Sequence, residues 1–217
     1  MKRMADLNEI TDGKFYGLND MVRANCGDCV GCSHCCHVVG SSIVLDPYDI
    51  FRLTTGLSCS FDELLAKHIE LNMVDGIILP NLRVDEVTGC TFLDDKGRCS
   101  IHALRPGFCR IFPLGRYYTE QSFCYILQIH ECPKNRTKIK VKDWIDTPEL
   151  KRNQEFINDW HYFLEALSTK LSDGCPMDTQ RQVQHYLLHL FYRTPYQAEE
   201  NFYDQFALRL AKARTLI

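Results

Sequence analysis

The feature that most constrains this chain is a crowded run of cysteines near its start. Five of them fall within eleven residues, namely Cys26, Cys29, Cys32, Cys35 and Cys36. Thiolates packed this tightly repel one another and oxidise easily unless a soft cation holds them. The first interpretation of the sequence is therefore a bound metal ion or an iron–sulfur cluster.

The spacing of the cysteines supports that interpretation. Two residues separate Cys29 from Cys32, and two more separate Cys32 from Cys35, so a backbone turn can bring these sulfur atoms to one ion about 2.3 Å away. The adjacent side chains of Cys35 and Cys36 diverge and suit two different ions or sites. Four further cysteines follow at wide intervals: Cys90, Cys99, Cys109 and Cys132. Eight candidate ligands allow two four-coordinate sites, or one site together with structural thiols.

The other cysteines carry a weaker signal. Cys59 and Cys175 have no neighbouring cysteine, and we expect them to be small core residues. Cys26 and Cys124 each lie at workable spacing to a candidate ligand, so their role stays open at this point.

The histidines are secondary candidates. His34 lies inside the cysteine run and His37 directly after it, but the surrounding thiols suffice to fill four positions. We expect His102 to pack or to form hydrogen bonds. His185 and His189 have the i, i+4 spacing of paired helical ligands, yet no glutamate follows His185 as a zinc-protease site requires, so we favour an ordinary core or surface role.

Composition indicates a cytoplasmic protein. No apolar segment typical of a signal peptide follows Met1, and no stretch approaches the ~18 apolar residues of a membrane span. In a reducing compartment twelve cysteines are free to bind metal rather than to form six disulfides. The net charge of −3 predicts no association with nucleic acid or membranes, and we interpret the basic residues between 134 and 142 as a solvated face.

The order of short and long elements predicts an α+β fold in three parts. We expect an N-terminal leader over residues 1–25, an irregular metal-stabilised cysteine domain over 26–140, and a helical extension over 141–217 that packs on it. In the middle part, Asp46-Pro47 predicts a helix that ends at Gly56, and a capping box that begins at Ser60 predicts a second helix through Glu70. We also expect strands at 43–45 and 77–79, a tight turn at 94–97 and a hairpin that turns at 119–122.

The helical extension shows clear periodicity. Thr147-Pro148 predicts the start of a helix that runs to about Leu171, with Asp173-Gly174 after it. A second helix is expected over 177–193, and Thr194-Pro195 predicts the start of a third. We expect that a protein partner, if there is one, binds this extension.

Two sequence blocks resemble a known family. The first is Cys29-Val-Gly-Cys32-Ser-His-Cys35-Cys36. The second runs from Cys90-Thr-Phe-Leu93 through Gly97-Arg98-Cys99-Ser-Ile-His102 to Arg105-Pro106-Gly-Phe-Cys109-Arg110-Ile-Phe-Pro113. Together they resemble the YkgJ-type CxxCxxCC cysteine-cluster family, a zinc- or iron-chelating domain, over about residues 26–135.

The resemblance implies metal chelation through the cysteines of the motif. Carried over position by position, the implied ligands are Cys29, Cys32, Cys35, Cys36, Cys90, Cys99 and Cys109. Cys132-Pro133 resembles a later Cys-Pro element, whereas Cys26 lies outside the signature. The resemblance implies no particular reaction, and His102 stands where the family often has tyrosine.

The arginines of the second block allow two interpretations. Arg105 and Arg110 either offset the negative charge of a polythiolate site or form ordinary ion pairs with Asp94 or Asp95. We expect Pro106 and Pro113 to fix the turn that aims Cys109.

Three classes of function remain, and spacing cannot separate zinc from an iron–sulfur cluster. One crowded loop with scattered partners fits a cluster somewhat better, which favours a metal-binding protein with a redox or electron-transfer role. The alternatives are a structural zinc module that binds a macromolecule and a cluster-dependent enzyme of unknown reaction. No catalytic residue can be named from this sequence.

Overall fold

A computed structural model describes residues 7–216 apart from 28, 30, 31, 39–41, 133, 135 and 136. Within these residues the fold is α+β, as predicted. The strands, all antiparallel, are β1 Met21–Asn25, β2 Ile69–Val74, β3 Ile77–Leu82, β4 Val84–Asp85, β5 Gly89–Cys90, β6 Leu114–Thr119, β7 Ser122–Leu127 and β8 Thr137–Lys140. The short helices are α1 Leu7–Ile10, α2 His34–Val38, α3 Pro47–Leu57, α4 Phe61–Lys67, α5 Gly107–Ile111 and α6 Val141–Ile145. The C-terminal helices are α7 Leu150–Ser172, α8 Met177–Leu188 and α9 Phe202–Ala213.

The strands form two-stranded ribbons. Three of these pairs join neighbouring strands: β2 with β3, β4 with β5, and β6 with β7. The fourth pair joins β1 to β8, with Val22 opposite Ile139 and Asn25 opposite Thr137. This long-range ribbon ties residues 21–25, predicted as part of a leader, to the far end of the cysteine-rich segment. Residues 1–6 of that predicted leader lie outside the described part.

The main hydrophobic core joins the middle of the chain to its C-terminal helices. Leu45 and Leu53 from the α3 region share it with Trp160 of α7 and Phe206 of α9. Its centre is Phe191, whose ring lies 4.7 Å from that of Trp160 and which is fully buried in a π-helical turn that extends α8 over His189–Arg193. The predicted domain boundaries are not tested by this shared core and stay predictions.

A second, smaller core lies beneath the β1–β8 ribbon. Val22 of β1 packs there with Leu114 of β6, Leu127 of β7 and Trp144 of α6. The Trp144 indole N–H donates to the carbonyl of Ile111, the last residue of α5. The main core includes Cys90, and Cys36, Cys99 and Cys109 pack against it, whereas Cys26 packs against the second core.

Several predicted helix and turn boundaries match the structure, and others differ. The helix starts at Asp46 and Ser60 both have complete capping boxes, and β6–β7 turns at Glu120-Gln121 as expected. Helix α3 continues through Gly56 to Leu57, because a left-handed Ser58 forms its cap.

The second difference is at α4, which ends at Lys67 since residues 69–74 pair with β3 instead of staying helical. The third is at α9, which begins seven residues after the predicted Thr194-Pro195 signal. The Asn201 side chain caps it by accepting from the Tyr203 N–H. The predicted strand around Val44 is reduced to one bridge with Asn81.

A single amide fixes the β2–β3 hairpin against α8. The buried Gln184 side chain accepts from the Ile78 N–H at 2.8 Å and donates to the Gly76 carbonyl at 2.7 Å. In the ranges given above, no helix is both long and apolar enough to cross a membrane.

Replacing Phe191 by alanine should lower the free energy of unfolding by about 3–5 kcal/mol, because the truncation empties the centre of the main core. The control is Leu208→Ala, since Leu208 is 69% exposed on α9, and its effect should stay within about 0.5 kcal/mol. Urea denaturation of both variants measures the difference. Equal losses would show that Phe191 is not central to the core.

Candidate metal centre

Seven of the eight predicted cysteine ligands surround one cavity, the first cavity. Its thiols are Cys29, Cys32, Cys35, Cys36, Cys90, Cys99 and Cys109. They come from four separate places in the chain: the cysteine run, strand β5, the segment after the predicted turn, and helix α5. All of them are free thiols and all are buried or half-buried. The eighth predicted ligand, Cys132, does not line this cavity.

A tight turn brings Cys99 back towards Cys90. The Asp94 N–H donates to the Arg98 carbonyl at 2.8 Å, and the Asp94 carboxylate accepts from the Arg98 N–H at 2.8 Å. Leu93 and Cys99 then form a β-bridge. The predicted turn at 94–97 is thus present, and it closes the nine-residue separation of the two thiols.

Close backbone approach at Gly89 places Cys90 beside the cysteine run. Gly89 has a φ of +83° and precedes Cys90 in β5. A Cβ atom here would lie 2.6 Å from Nδ1 of His37 and 3.0 Å from the carbonyl oxygen of Cys36. Only glycine fits both the conformation and the space, so β5 can pack directly against α2.

A buried carboxylate holds the helix that carries Cys109. Asp49 of α3, which is 3% exposed, accepts the Gly107 N–H at 2.7 Å and the Asp46 N–H at 3.1 Å. Burial, and then the charge of Asp46, raise the pKa of the Asp49 carboxyl well above its usual range. Burial likewise raises the pKa of Asp46 to about 6. Sequence reasoning took Asp46 only as a helix start and missed the link from Asp49 to α5.

Neighbouring thiols share protons unequally. A hydrogen bond from Cys29 lowers the pKa of Cys26 to about 6, and that bond raises the pKa of Cys29. Cys36 lowers the pKa of Cys35 to about 7 in the same way, while its own pKa rises. In each pair one thiol ionises more easily and the other less easily, since a second thiolate would face the first in a partly desolvated place.

Burial disfavours the ionisation of three further thiols. It raises the pKa values of Cys90 and Cys99, and that of Cys109 most strongly of the three. A bound cation reverses this preference, because its positive charge stabilises the ionised sulfur.

Basic groups lie on the wall of the first cavity. Arg98, His102 and Arg105 all line it. His102 Nε2 and Arg105 Nη1 are 2.9 Å apart, which agrees with the hydrogen-bonding role predicted for His102. Arg105 is therefore placed to offset thiolate charge.

Arg110 serves a different purpose from either of the two predicted. Its side chain is buried, and its guanidinium donates to the carbonyls of Ala103 at 3.0 Å and Asp146 at 3.1 Å. These hydrogen bonds go to neither the cavity wall nor the side chains of Asp94 and Asp95. Arg110 thus joins α5 to the end of α6.

Three further cysteines and one histidine line neither of the two cysteine-lined cavities. Cys59 and Cys175 are half-buried against the main core, as expected of small core residues. Cys124 on β7 contacts the Tyr117 carbonyl at 3.7 Å. His37 is exposed on α2 and packs near Gly89.

A second cavity adjoins the first one. It is lined by Cys26, Cys29, Cys32, Cys35, Cys109 and Cys132, together with His34, Phe112, Glu131 and Lys134. The structure therefore places Cys132 and the undecided Cys26 and His34 at this second cavity. Pro133, the other half of the predicted Cys-Pro element, lies outside the described residues.

The chemistry of this donor set fits a soft metal ion. Nine thiols face the two cavities, and thiolates select zinc and iron–sulfur clusters over hard cations. Among the residues that the structure describes, no three Cys, His, Asp or Glu side chains already meet at the distances that one ion requires. The assignment of individual ligands stays a prediction.

Comparison with known proteins agrees with this chemistry. The model of the family described as "CxxCxxCC: Putative zinc- or iron-chelating domain" matches residues 28–144, which is more than half of the 217-residue chain. Searches of the curated proteins and of the solved structures gave no match.

Replacing Gly89 by alanine should release metal and destabilise the chain, because the new Cβ pushes β5 away from α2. Gly174→Ala is a matched control, since Gly174 also has a positive φ (+70°) but nothing lies within 4 Å of its Cβ position. Backbone strain alone should cost each variant about 1–2 kcal/mol. Metal content per chain, measured beside urea denaturation, separates the two effects. Equal metal content in both variants would contradict the importance of this close approach.

Replacing Asp49 by asparagine should change how stability depends on pH. The raised pKa of Asp49 means that the folded chain retains a proton that the unfolded chain releases above pH ~4. The stability that protonated Asp49 contributes to the wild type is therefore lost as pH rises through the folded pKa. Over the same pH range, Asp49→Asn should become more stable relative to wild type.

A control of opposite sign is available at Glu63. Its exposed carboxylate has a pKa lowered by its hydrogen bonds to Ser60, so Glu63→Gln should lose stability relative to wild type as pH rises. Urea denaturation between pH 4 and pH 8 compares the three proteins, and parallel curves for wild type and Asp49→Asn would show that Asp49 ionises normally.

Proposed function

We propose, from the fact that this chain belongs to the CxxCxxCC family of zinc- or iron-chelating domains, that its first cavity holds an iron–sulfur cluster with a redox role. Family membership supports chelation of zinc or iron and goes no further. The choice of a cluster and of electron transfer rests on the arrangement of the residues around the cavity.

The observation that carries the proposal is the number and origin of the thiols. Seven cysteines line one cavity, whereas a closed zinc site needs only four ligands. Four come from the one cysteine run and three from distant segments, rather than from two paired CxxC knuckles, and this arrangement suits a cluster. Which four cysteines bind is left to experiment.

The wall of the cavity supports a cluster of moderate charge. Ile43, Leu82 and Ile101 are nearly inaccessible to water and form its apolar side, together with Phe108 and Phe112. Arg105 and His102 line the same cavity and supply positive charge and donor groups. Low exposure and hydrogen bonds to sulfur are the factors by which a protein raises the reduction potential of a cluster.

A bound cluster would supply reversible one-electron transfer. The chain contributes the thiolates that hold it, the apolar wall that limits water, and the cations that balance its charge. The described residues provide no basis for naming a substrate, so we propose no reaction beyond electron transfer.

The test is anaerobic purification followed by an absorption spectrum and analysis of iron, sulfide and zinc. We expect a brown protein whose broad visible band is bleached by dithionite, with iron and sulfide in equal amounts. A colourless protein with stoichiometric zinc would overturn the cluster and favour the structural zinc module. A folded protein without metal would overturn chelation altogether.

Replacing Cys99 by serine should remove the visible band and most of the iron, because Cys99 faces only the first cavity. Cys175→Ser is the matched control, since Cys175 is half-buried and faces neither cavity. Iron content and resistance to protease should fall in the first variant and stay at the wild-type level in the second. Equal values in both would contradict the assignment of this cavity.

A further inference from the structure

The β1–β8 ribbon brings Cys26 and Cys132 to the same place. Cys26 directly follows β1, and Cys132 lies five residues before β8 begins. Because the two strands are antiparallel, the end of β1 and the start of β8 lie at one end of the ribbon, where Asn25 is opposite Thr137. Both cysteines line the second cavity at this end, and Cys132 is 9% exposed.

The distance between the sulfur atoms of Cys26 and Cys29 suits two ligands of one metal ion. Sγ of Cys26 and Sγ of Cys29 are 3.7 Å apart. A disulfide requires about 2.05 Å, so this pair is not bonded. Two thiolates on one tetrahedral zinc ion, each about 2.3 Å from the metal, are about 3.8 Å apart. The pair thus already has the separation that a single ion imposes.

A four-iron cluster does not explain that separation as well. In a four-iron cluster each iron takes one cysteine, so the sulfur atoms of two protein ligands lie farther apart than two ligands of one ion. Cys26 and Cys29 also form a C-x₂-C knuckle, the spacing that is typical of structural zinc sites. Gly27 and Cys29, both at positive φ, shape this loop.

We propose that Cys26, Cys29, Cys32 and Cys132 form a second metal site for one tetrahedral divalent ion of the zinc class. This inference rests on the proposed function and extends it from one site to two. It adds Cys26, which lies outside the residues 28–144 that match the family. Cys36, Cys90 and Cys99 line only the first cavity and, with Cys35 and Cys109, which line both, leave five thiols for the cluster.

The remaining two ligands lie on the wall of the same cavity. The Cys32 N–H donates to the Cys29 carbonyl at 3.0 Å, so the backbones of these two cysteines are held together. Cys32 and Cys132 approach the Cys26–Cys29 pair when the ion binds, which fits metal sites that complete themselves on binding. Four thiolates on one divalent ion leave a charge of about −2, and Lys134 on the cavity wall offsets part of it.

The experiment counts ions on the full chain by native mass spectrometry. The protein is purified anaerobically and supplied with Zn²⁺, and its visible spectrum is recorded in parallel. We expect wild type to carry one zinc ion in addition to the metal of the first cavity. Cys26→Ser and Cys132→Ser should each lose that zinc ion and retain the visible band, whereas Cys124→Ser, altered outside both cavities, should retain both.

Each outcome separates the two proposals. If Cys26→Ser and Cys132→Ser keep the same ions as wild type, the second site is overturned and the first is unaffected. If wild type carries no metal, both proposals fail. If wild type carries metal in the first cavity alone, only the second site fails.

A second variant covers the case in which Cys26→Ser fails to fold. Cys26→His keeps a zinc ligand at this position, and Co²⁺ serves as the probe. The absorption from thiolate-to-cobalt charge transfer at the second site should fall by about one quarter, because three of four sulfur ligands remain. An unchanged cobalt spectrum would overturn the participation of Cys26.

Discussion

Repulsion between sulfur charges in a partly buried space is the constraint on which this structure depends. Nine thiols face two adjoining cavities, and without a cation the ionisation of one thiol in a close pair disfavours that of the other. Burial opposes ionisation most strongly at Cys109. Burial therefore favours the protonated thiols, and a soft metal ion converts them to thiolates when it binds. Metal binding and proton release are thus linked.

The scaffold meets this constraint by anchoring each cysteine segment from outside. The buried Asp49 holds the start of α5, the turn at Asp94 closes the segment before Cys99, and Gly89 lets β5 approach α2. Cys90 is part of the main core, and Cys36, Cys99 and Cys109 pack against it. The interactions that stabilise the core therefore also help to order the metal centre. A partner on the C-terminal helices stays a prediction, and α7–α9 contribute chiefly to the main core.

The sequence was most informative where local chemistry decides the structure. Capping boxes at Asp46 and Ser60 and the turn at Asp94 are encoded in neighbouring residues, and the family signature was sufficient to predict chelation. Long-range contacts were not predictable in this way. Strand pairing ended α4 at Lys67, and pairing across more than a hundred residues placed Cys26 beside Cys132. The role of Asp49 was also not predicted, because its partner Gly107 is distant in the chain.

The β1–β8 ribbon has a consequence for how the protein is made. Strand β1 leaves the ribosome with the cysteine run directly behind it, yet its partner begins only at Thr137. At about 5–20 residues per second, synthesis of the intervening segment takes roughly 5–20 seconds. During that interval the crowded thiols emerge without the strand that anchors them. A nascent chain is therefore most vulnerable to oxidants before its final third exists, and early metal capture would protect it.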